Sequence, residues 1–212
     1  MTDTIQVPWT EPLQGLPLTQ PTHESWTQIA IGDLDALLAD HAHCEQKAAS
    51  MALSLIARYP ENTDRTKKLM ALAAEEMHHF KQVLEKIEAR GRVLTKPLPD
   101  AYVKQLREWS FRHVGGVGTK TDTFLACGFV EARSCERFRL LAQALLGQSD
   151  QELQKLGAFY RNLADAESRH WESFRDFALE EQTPARVQKR MTDMAEAEAA
   201  IIRDLPIEPR MH

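Results

Sequence analysis

Glycine is scarce, nine residues in 212, too few for the many tight turns of a β-sandwich or barrel. No stretch approaches the roughly 18 uninterrupted apolar residues of a membrane span. The first residues, Met1-Thr-Asp-Thr-Ile-Gln6, carry neither a basic run nor an apolar one, so no secretory leader is expected. Cysteine is limited to Cys44, Cys127 and Cys135. All three lie in apolar-periodic stretches, and they read as reduced thiols of a cytoplasmic protein. They are too few and too dispersed for a four-cysteine iron site. A basic excess is also missing. Lys and Arg number 26 against 31 Asp and Glu, a net charge of −5, which gives no global attraction to nucleic acid. Neither DNA nor a membrane is an expected partner. What remains is an ordinary globular composition, 43% hydrophobic and 27% charged, long enough to bury a core without disulfides.

The pattern along the chain is helical throughout. Residues 1–22 contain Pro8, Pro12, Pro17 and Pro21, a density that forbids a continuous helix and predicts an extended arm. Residues 23–212 are expected to form one helical domain. A short turn over 25–31 ends near Gly32. Asp33 can cap a long helix that Pro60 stops after Tyr59. Asn62 or Thr63 can cap a second, ending at Gly91. Asp100 opens a shorter helix to Arg112. The third long helix spans 121–146. Ser149-Asp-Gln-Glu152 has the capping-box form, with Ser149 as cap, and opens a fourth to about Leu179. Thr183-Pro184 starts the last, to about Asp204. Four long helices, with a long link over 92–120 between the pairs, predict an all-α four-helix bundle with one crossover and flanking helices.

Each long helix has an apolar stripe with a charged interruption. Glu45 falls between Leu38 and Ala48/Ala49/Ala52. Glu76 and His79 fall between Leu72/Ala73 and Phe80/Val83. Glu131 sits between Gly128 and Cys135. Glu167 and His170 lie between Leu163/Ala164 and Phe174. An unpaired buried carboxylate costs several kcal/mol even after relaxation, so four at one level of a bundle call for a cation. Glu-x-x-His places two side chains on one helix face. One Glu from each of two helices plus a Glu-x-x-His from each of the other two builds a dinuclear site. Carboxylates with one imidazole per metal suit iron or manganese. With 19 Glu and 8 His, chance gives about 0.7 Glu-x-x-His matches. Three occur, and two of them lie on the apolar stripes of alternate long helices.

Other candidates have plainer readings. Glu75 and His78 lie on a more polar side and read as a flanking pair. His41, four residues before Glu45 on the same stripe, reads as a support for that carboxylate or as a core histidine. His41-Ala-His43-Cys44 lacks a second cluster at zinc-finger spacing. Cys127 and Cys135 read as small thiols lining a pocket. Residues 113–120 are glycine-rich but depart from a phosphate loop and read as a crossover turn. Asp40, Glu75 and Asp165 are candidate partners for the ligand histidines. Arg65, Lys67 and Lys68 read as a solvated face.

Asp40-His-Ala-His-Cys-Glu-Gln-Lys-Ala-Ala49, Glu75-Glu-Met-His-His-Phe80, Glu131-Ala-Arg-Ser-Cys-Glu-Arg-Phe138 and Glu167-Ser-Arg-His170 closely resemble the bacterial tRNA 2-methylthio-N6-isopentenyladenosine hydroxylases, the MiaE family. The resemblance covers about residues 30–180, and the segment beginning at Glu131 discriminates it from other ferritin-like proteins. It implies a ferritin-like, non-haem di-iron monooxygenase. Two iron ions would be held by Glu45, Glu76, His79, Glu131, Glu167 and His170, with O2 as co-substrate and electrons from a separate reductase or ferredoxin system. The substrate would be the isopentenyl adenosine at nucleotide 37, in the anticodon loop of tRNA. A single-stranded loop can splay that base into a pocket without opening a duplex. Arg133, Arg137, Arg139 and Arg169 are the expected rim of that pocket. The competing reading is a ferritin-like peroxidase or ferroxidase acting without RNA.

The charge deficit then changes meaning. With Glu45, Glu76, Glu131 and Glu167 neutralised by two divalent ions, the other 27 acidic residues nearly balance the 26 basic ones. A local basic rim and salt-dependent binding are expected rather than a basic protein.

Overall fold

The computed structural model describes residues 11–112 and 119–212. Its helices begin and end where local chemistry directs. Asp33 accepts a hydrogen bond from the Ala36 amide and opens α2 (Leu34–Arg58), which follows the short α1 (Trp26–Gly32). Asn62 accepts from the Arg65 amide and opens α3 (Thr63–Ala89). That helix ends in a Schellman turn. Gly91, at φ +69°, donates to Glu88 and the Arg92 amide donates back to Ile87, a left-handed geometry that favours glycine. Asp100 accepts from the Val103 amide at the start of α4 (Ala101–Arg112). Then come α5 (Thr119–Leu146), α6 (Gln151–Glu181) and α7 (Pro184–Asp204).

One expected cap differs. Asp150, not Ser149, accepts from the Glu152 and Leu153 amides to open α6. The carboxylate is the stronger acceptor and sits one residue nearer the helix. Thr183 occupies the cap position of α7 without a side-chain bond, and Pro184 alone presets that first turn. The glycine-rich crossover, residues 113–118, lies outside the described residues, as does the first part of the arm.

The all-α class expected from the sequence is the class observed. Among the described residues there are seven helices and no strand, and no helix is long and apolar enough to cross a membrane. Contacts divide the chain into two compact units, one of Met1–Thr27, Asp100–Ile207 and His212, the other of Gln28–Pro99 and Glu208–Met211.

In the second unit α2 and α3 pack on each other along their length. Their buried faces carry Leu37, Leu38, Ala49, Ala52, Leu55, Leu69, Leu72, Val83 and Ile87. Asp35 on α2 accepts from both Arg90 (2.6 Å) and Arg92 (2.7 Å), so the turn around Gly91 is fastened to the start of α2. Asp40 accepts from Arg210 and from the Met211 amide, which holds residues 208–211 against the same helix.

In the first unit α5 and α6 form the corresponding pair, and α7 packs beside α4, α5 and α6. The sequence reads one apolar stripe on α5. The structure instead buries every residue from Glu131 to Arg139. The polar side of the helix is covered by the N-terminal segment, a packing that the expectation of an extended arm does not specify. Arg139 donates to the carbonyls of Pro12 (2.9 Å) and Gln14 (2.6 Å). Arg133 donates to the carbonyl of Gln20, and Glu136 accepts from the Thr22 amide. Arg65, read as solvated, is also buried, at 1% exposure, and donates to Glu61 in the turn before its helix.

Candidate metal centre

The six inward residues fall into two sets, one per unit. In the α2–α3 pair, Glu45, Glu76 and His79 each offer a ligand atom within 4.8 Å of the others. His79 Nδ1 lies 3.5 Å from Glu45 and 3.7 Å from Glu76. In the α5–α6 pair, Glu131, Glu167 and His170 meet the same limit, with His170 Nδ1 3.4 Å from Glu167 Oε2. All six are at most 6% exposed. The reason is helical spacing. In each pair one helix brings a Glu and its neighbour brings Glu and His three residues apart, on the face that also carries the core.

Two oxygens and one imidazole nitrogen converge in each set, a donor group suited to a hard or borderline divalent metal. Glu167 Oε2 is buried and accepts no hydrogen bond. Leaving a carboxylate oxygen in that condition is costly unless a cation supplies its charge. The residues therefore fit an iron ion in each set.

His41 is fully buried, and its Nε2 lies 2.6 Å from Glu45 Oε1. It is the histidine that orients a candidate ligand, one of the two readings its place on the stripe allows. Two of the other candidate partners, Asp40 and Asp165, are engaged elsewhere or face outward. Asp40 holds Arg210 and the Met211 amide. Asp165 is exposed, and Glu75 is half-buried. His43, the other half of the His-Ala-His-Cys run, donates to the carbonyl of Thr95 at 2.7 Å. His78 is exposed while His79 is buried, as the apolar stripe requires.

The expected basic rim does not survive for three of its four residues. Arg133 is 0% exposed, and Arg137 and Arg139 are 7% exposed. All five N–H donors of Arg133 are used: Nε and Nη2 on Glu198, Nη1 on Glu136 and Thr22, Nη2 again on the Gln20 carbonyl. Burial alone would lower its pKa, but Glu198 and Glu136 carry it above the ordinary value. Arg137 stacks over the Trp26 ring at 4.8 Å. Its burial, with the Arg133 charge beside it, brings its pKa down to about 10. These arginines are internal struts because α5 is covered on all sides. Arg169 alone of the four is exposed.

The counter-charges in this cluster were not singled out from the sequence. Glu198 and Glu136 are 0% exposed. Burial raises the pKa of Glu198, an effect Arg133 opposes. Tyr102 donates to Glu198 at 3.1 Å, and burial beside that carboxylate holds the phenol well above its ordinary pKa. A signal existed for Glu198, which lies between Met194/Ala195 and Ile201 on the buried face of α7. The rule that picks out Glu45 picks it out too.

Residues 11–212 match the family model described as tRNA-(MS[2]IO[6]A)-hydroxylase (MiaE). This chain belongs to the MiaE family. A tRNA 2-(methylsulfanyl)-N(6)-isopentenyladenosine(37) hydroxylase of Pseudomonas putida is 36% identical over 192 residues, covering 91% of this chain and 89% of that one. The protein of the same name from Salmonella typhimurium is 28% identical, with 91% and 86% covered. Among solved structures, a Synechococcus protein with aldehyde deformylating oxygenase activity superposes with a TM-score of 0.79 at 34% identity, over 92% of this chain and 94% of that one. The match to the MiaE family extends beyond the segments that first suggested it, into the last helix and most of the N-terminal segment.

Proposed function

We propose that this protein is an O2-dependent hydroxylase of the isopentenyl group of 2-methylthio-N6-isopentenyladenosine at nucleotide 37 of tRNA. Family membership and the names of both curated relatives support the reaction. The observation that carries the chemistry is the presence of two buried Glu/Glu/His sets, one in each helix pair. On this reading Glu45, Glu76 and His79 hold one iron, and Glu131, Glu167 and His170 hold the other.

Iron held by these residues would supply the activation of O2, one oxygen atom going to the substrate carbon and the other leaving as water, with two electrons from an external reductase or ferredoxin and two protons from solvent. The chain supplies everything else. His41 fixes the orientation of Glu45. Phe174, buried one turn after His170 on the same face of α6, adds apolar surface beside the second set and keeps water from it. Arg169, exposed one residue before His170, is the proposed contact to the RNA backbone.

Nucleoside mass spectrometry tests the assignment. Deleting the gene in cells grown with oxygen is expected to remove the hydroxylated nucleoside and leave its isopentenyl precursor. An unchanged nucleoside profile would favour a ferritin-like peroxidase or ferroxidase. Iron analysis tests the ligands. Wild-type protein should retain two irons and Glu76→Ala fewer.

A further inference from the structure

Gly128 lies on α5 one turn before Glu131. Across from it on α6 stands Trp171, next to His170, with Phe174 one turn on. A Cβ at position 128 would lie 2.9 Å from Trp171 Cε3, 3.2 Å from its Cζ3 and 3.1 Å from Phe174 Cβ. The first distance is below what real Cβ atoms tolerate. Neither neighbour can yield by turning. Trp171 is 2% exposed with its ring edge-on to Phe129 at 6.1 Å, and Phe174 is 0% exposed. Phe174 Cβ is moreover bonded to the α6 backbone, so no rotamer moves it.

From this we infer that Gly128 is a positioning residue for the metal site: its missing side chain sets how closely α5 and α6 approach at the level of Glu131, Glu167 and His170. The inference rests on the assignment of those three residues as iron ligands. A rigid interior transmits displacement rather than absorbing it. A side chain at 128 must therefore move the helices apart between Glu131 on one side and His170 on the other. Ligand atoms that now lie within 4.8 Å of one another would be spread, and metal geometry tolerates little spreading.

A second glycine provides the comparison. Gly157, near the start of α6, is equally tight, with a Cβ there falling 2.9 Å from the Leu146 amide nitrogen. It stands ten residues before Glu167, about 15 Å along the helix. Its replacement should cost stability without disturbing the ligands.

The experiment compares wild type, Gly128→Ala and Gly157→Ala by thermal melting of the apoprotein, by anaerobic Fe(II) titration and by the visible spectrum of the Co(II)-loaded protein. Both variants should melt at lower temperature. Only Gly128→Ala should bind Fe(II) about tenfold more weakly and shift the Co(II) bands. Equal losses in the two variants, or a folded Gly128→Ala with wild-type affinity and spectrum, would overturn the inference. If Gly128→Ala does not fold, Gly128→Ala/Trp171→Leu decides. Removing the ring relieves the tighter contact and leaves only the one with Phe174 Cβ, so folding should return with Fe(II) affinity within about tenfold of wild type. A double variant that stays unfolded, or binds more than tenfold more weakly, counts against it. Failure of wild type itself to take up two Fe(II) would instead overturn the ligand assignment.

Discussion

Arg133 and Glu198 meet through two hydrogen bonds, Nε to Oε1 and Nη2 to Oε2, each 2.9 Å, with neither side chain exposed. The same guanidinium reaches Glu136, Thr22 and the Gln20 carbonyl. It joins α5, α7 and the N-terminal segment. Removing it leaves two carboxylates buried without their shared cation.

Arg133→Met should therefore destabilise the protein by about 3–5 kcal/mol, the usual cost of breaking a buried ion pair on one side. Arg133→Lys should recover only part of this, because an ammonium has three donors and the site uses five. Urea unfolding measures both. A loss of tRNA affinity in a fully folded Arg133→Met protein would contradict the strut assignment.

His41→Ala should weaken iron binding by about 10–100-fold, the usual effect of removing a group that orients a metal ligand. The direct contact to Glu45 at 2.6 Å is the basis. Competition with a chelator of known affinity reads the change. His78→Ala, on the exposed side of the neighbouring helix, should leave iron affinity as it is.

Cys135 should resist alkylation. Its thiol is buried and donates to the Ala164 carbonyl at 3.1 Å. Burial pushes its pKa up to about 12, so almost none is thiolate at pH 8. Iodoacetamide followed by peptide mass spectrometry should find Cys135 unlabelled in folded protein and labelled in denaturant.

The Asp35 clamp predicts an acid-dependent contribution to stability. Hydrogen bonds from Arg90 and then Arg92 hold the carboxyl below its ordinary value of 3.8. A carboxylate stabilised in the folded state binds protons less readily there than in the unfolded chain. Its contribution is thus complete above the ordinary value and disappears as pH falls through the depressed one. The stability difference between wild type and Asp35→Asn should be constant from neutral pH down to about 5 and then close on further acidification. Denaturant titrations at several pH values follow it.

What was legible in the sequence is what depends on neighbours along the chain. Asp33, Asn62, Asp100 and Gly91 act within four residues of themselves, so the helix limits could be read directly. Glu45, Glu76, His79, Glu131, Glu167 and His170 stood out because a charge on an apolar stripe is a local contradiction. The cap of α6 was misread by one residue because Ser149 and Asp150 both have capping chemistry, and the choice between them is geometric. The arginines were misread for a larger reason. A long cationic side chain close to a ligand in sequence can face solvent or core, and only the covering of α5 by residues 11–26 decides. The close approach at Gly128 was invisible too, since it depends on where the Trp171 ring lies.

The way that covering is held has a consequence for how the protein can change over time. Arg139 and Arg133 grip the carbonyl oxygens of Pro12, Gln14 and Gln20, atoms that every amino acid possesses. A substitution at any of those positions still presents the carbonyl. One inserted or deleted residue would instead shift every later carbonyl away from its guanidinium. For these three contacts, information is stored as spacing rather than as identity.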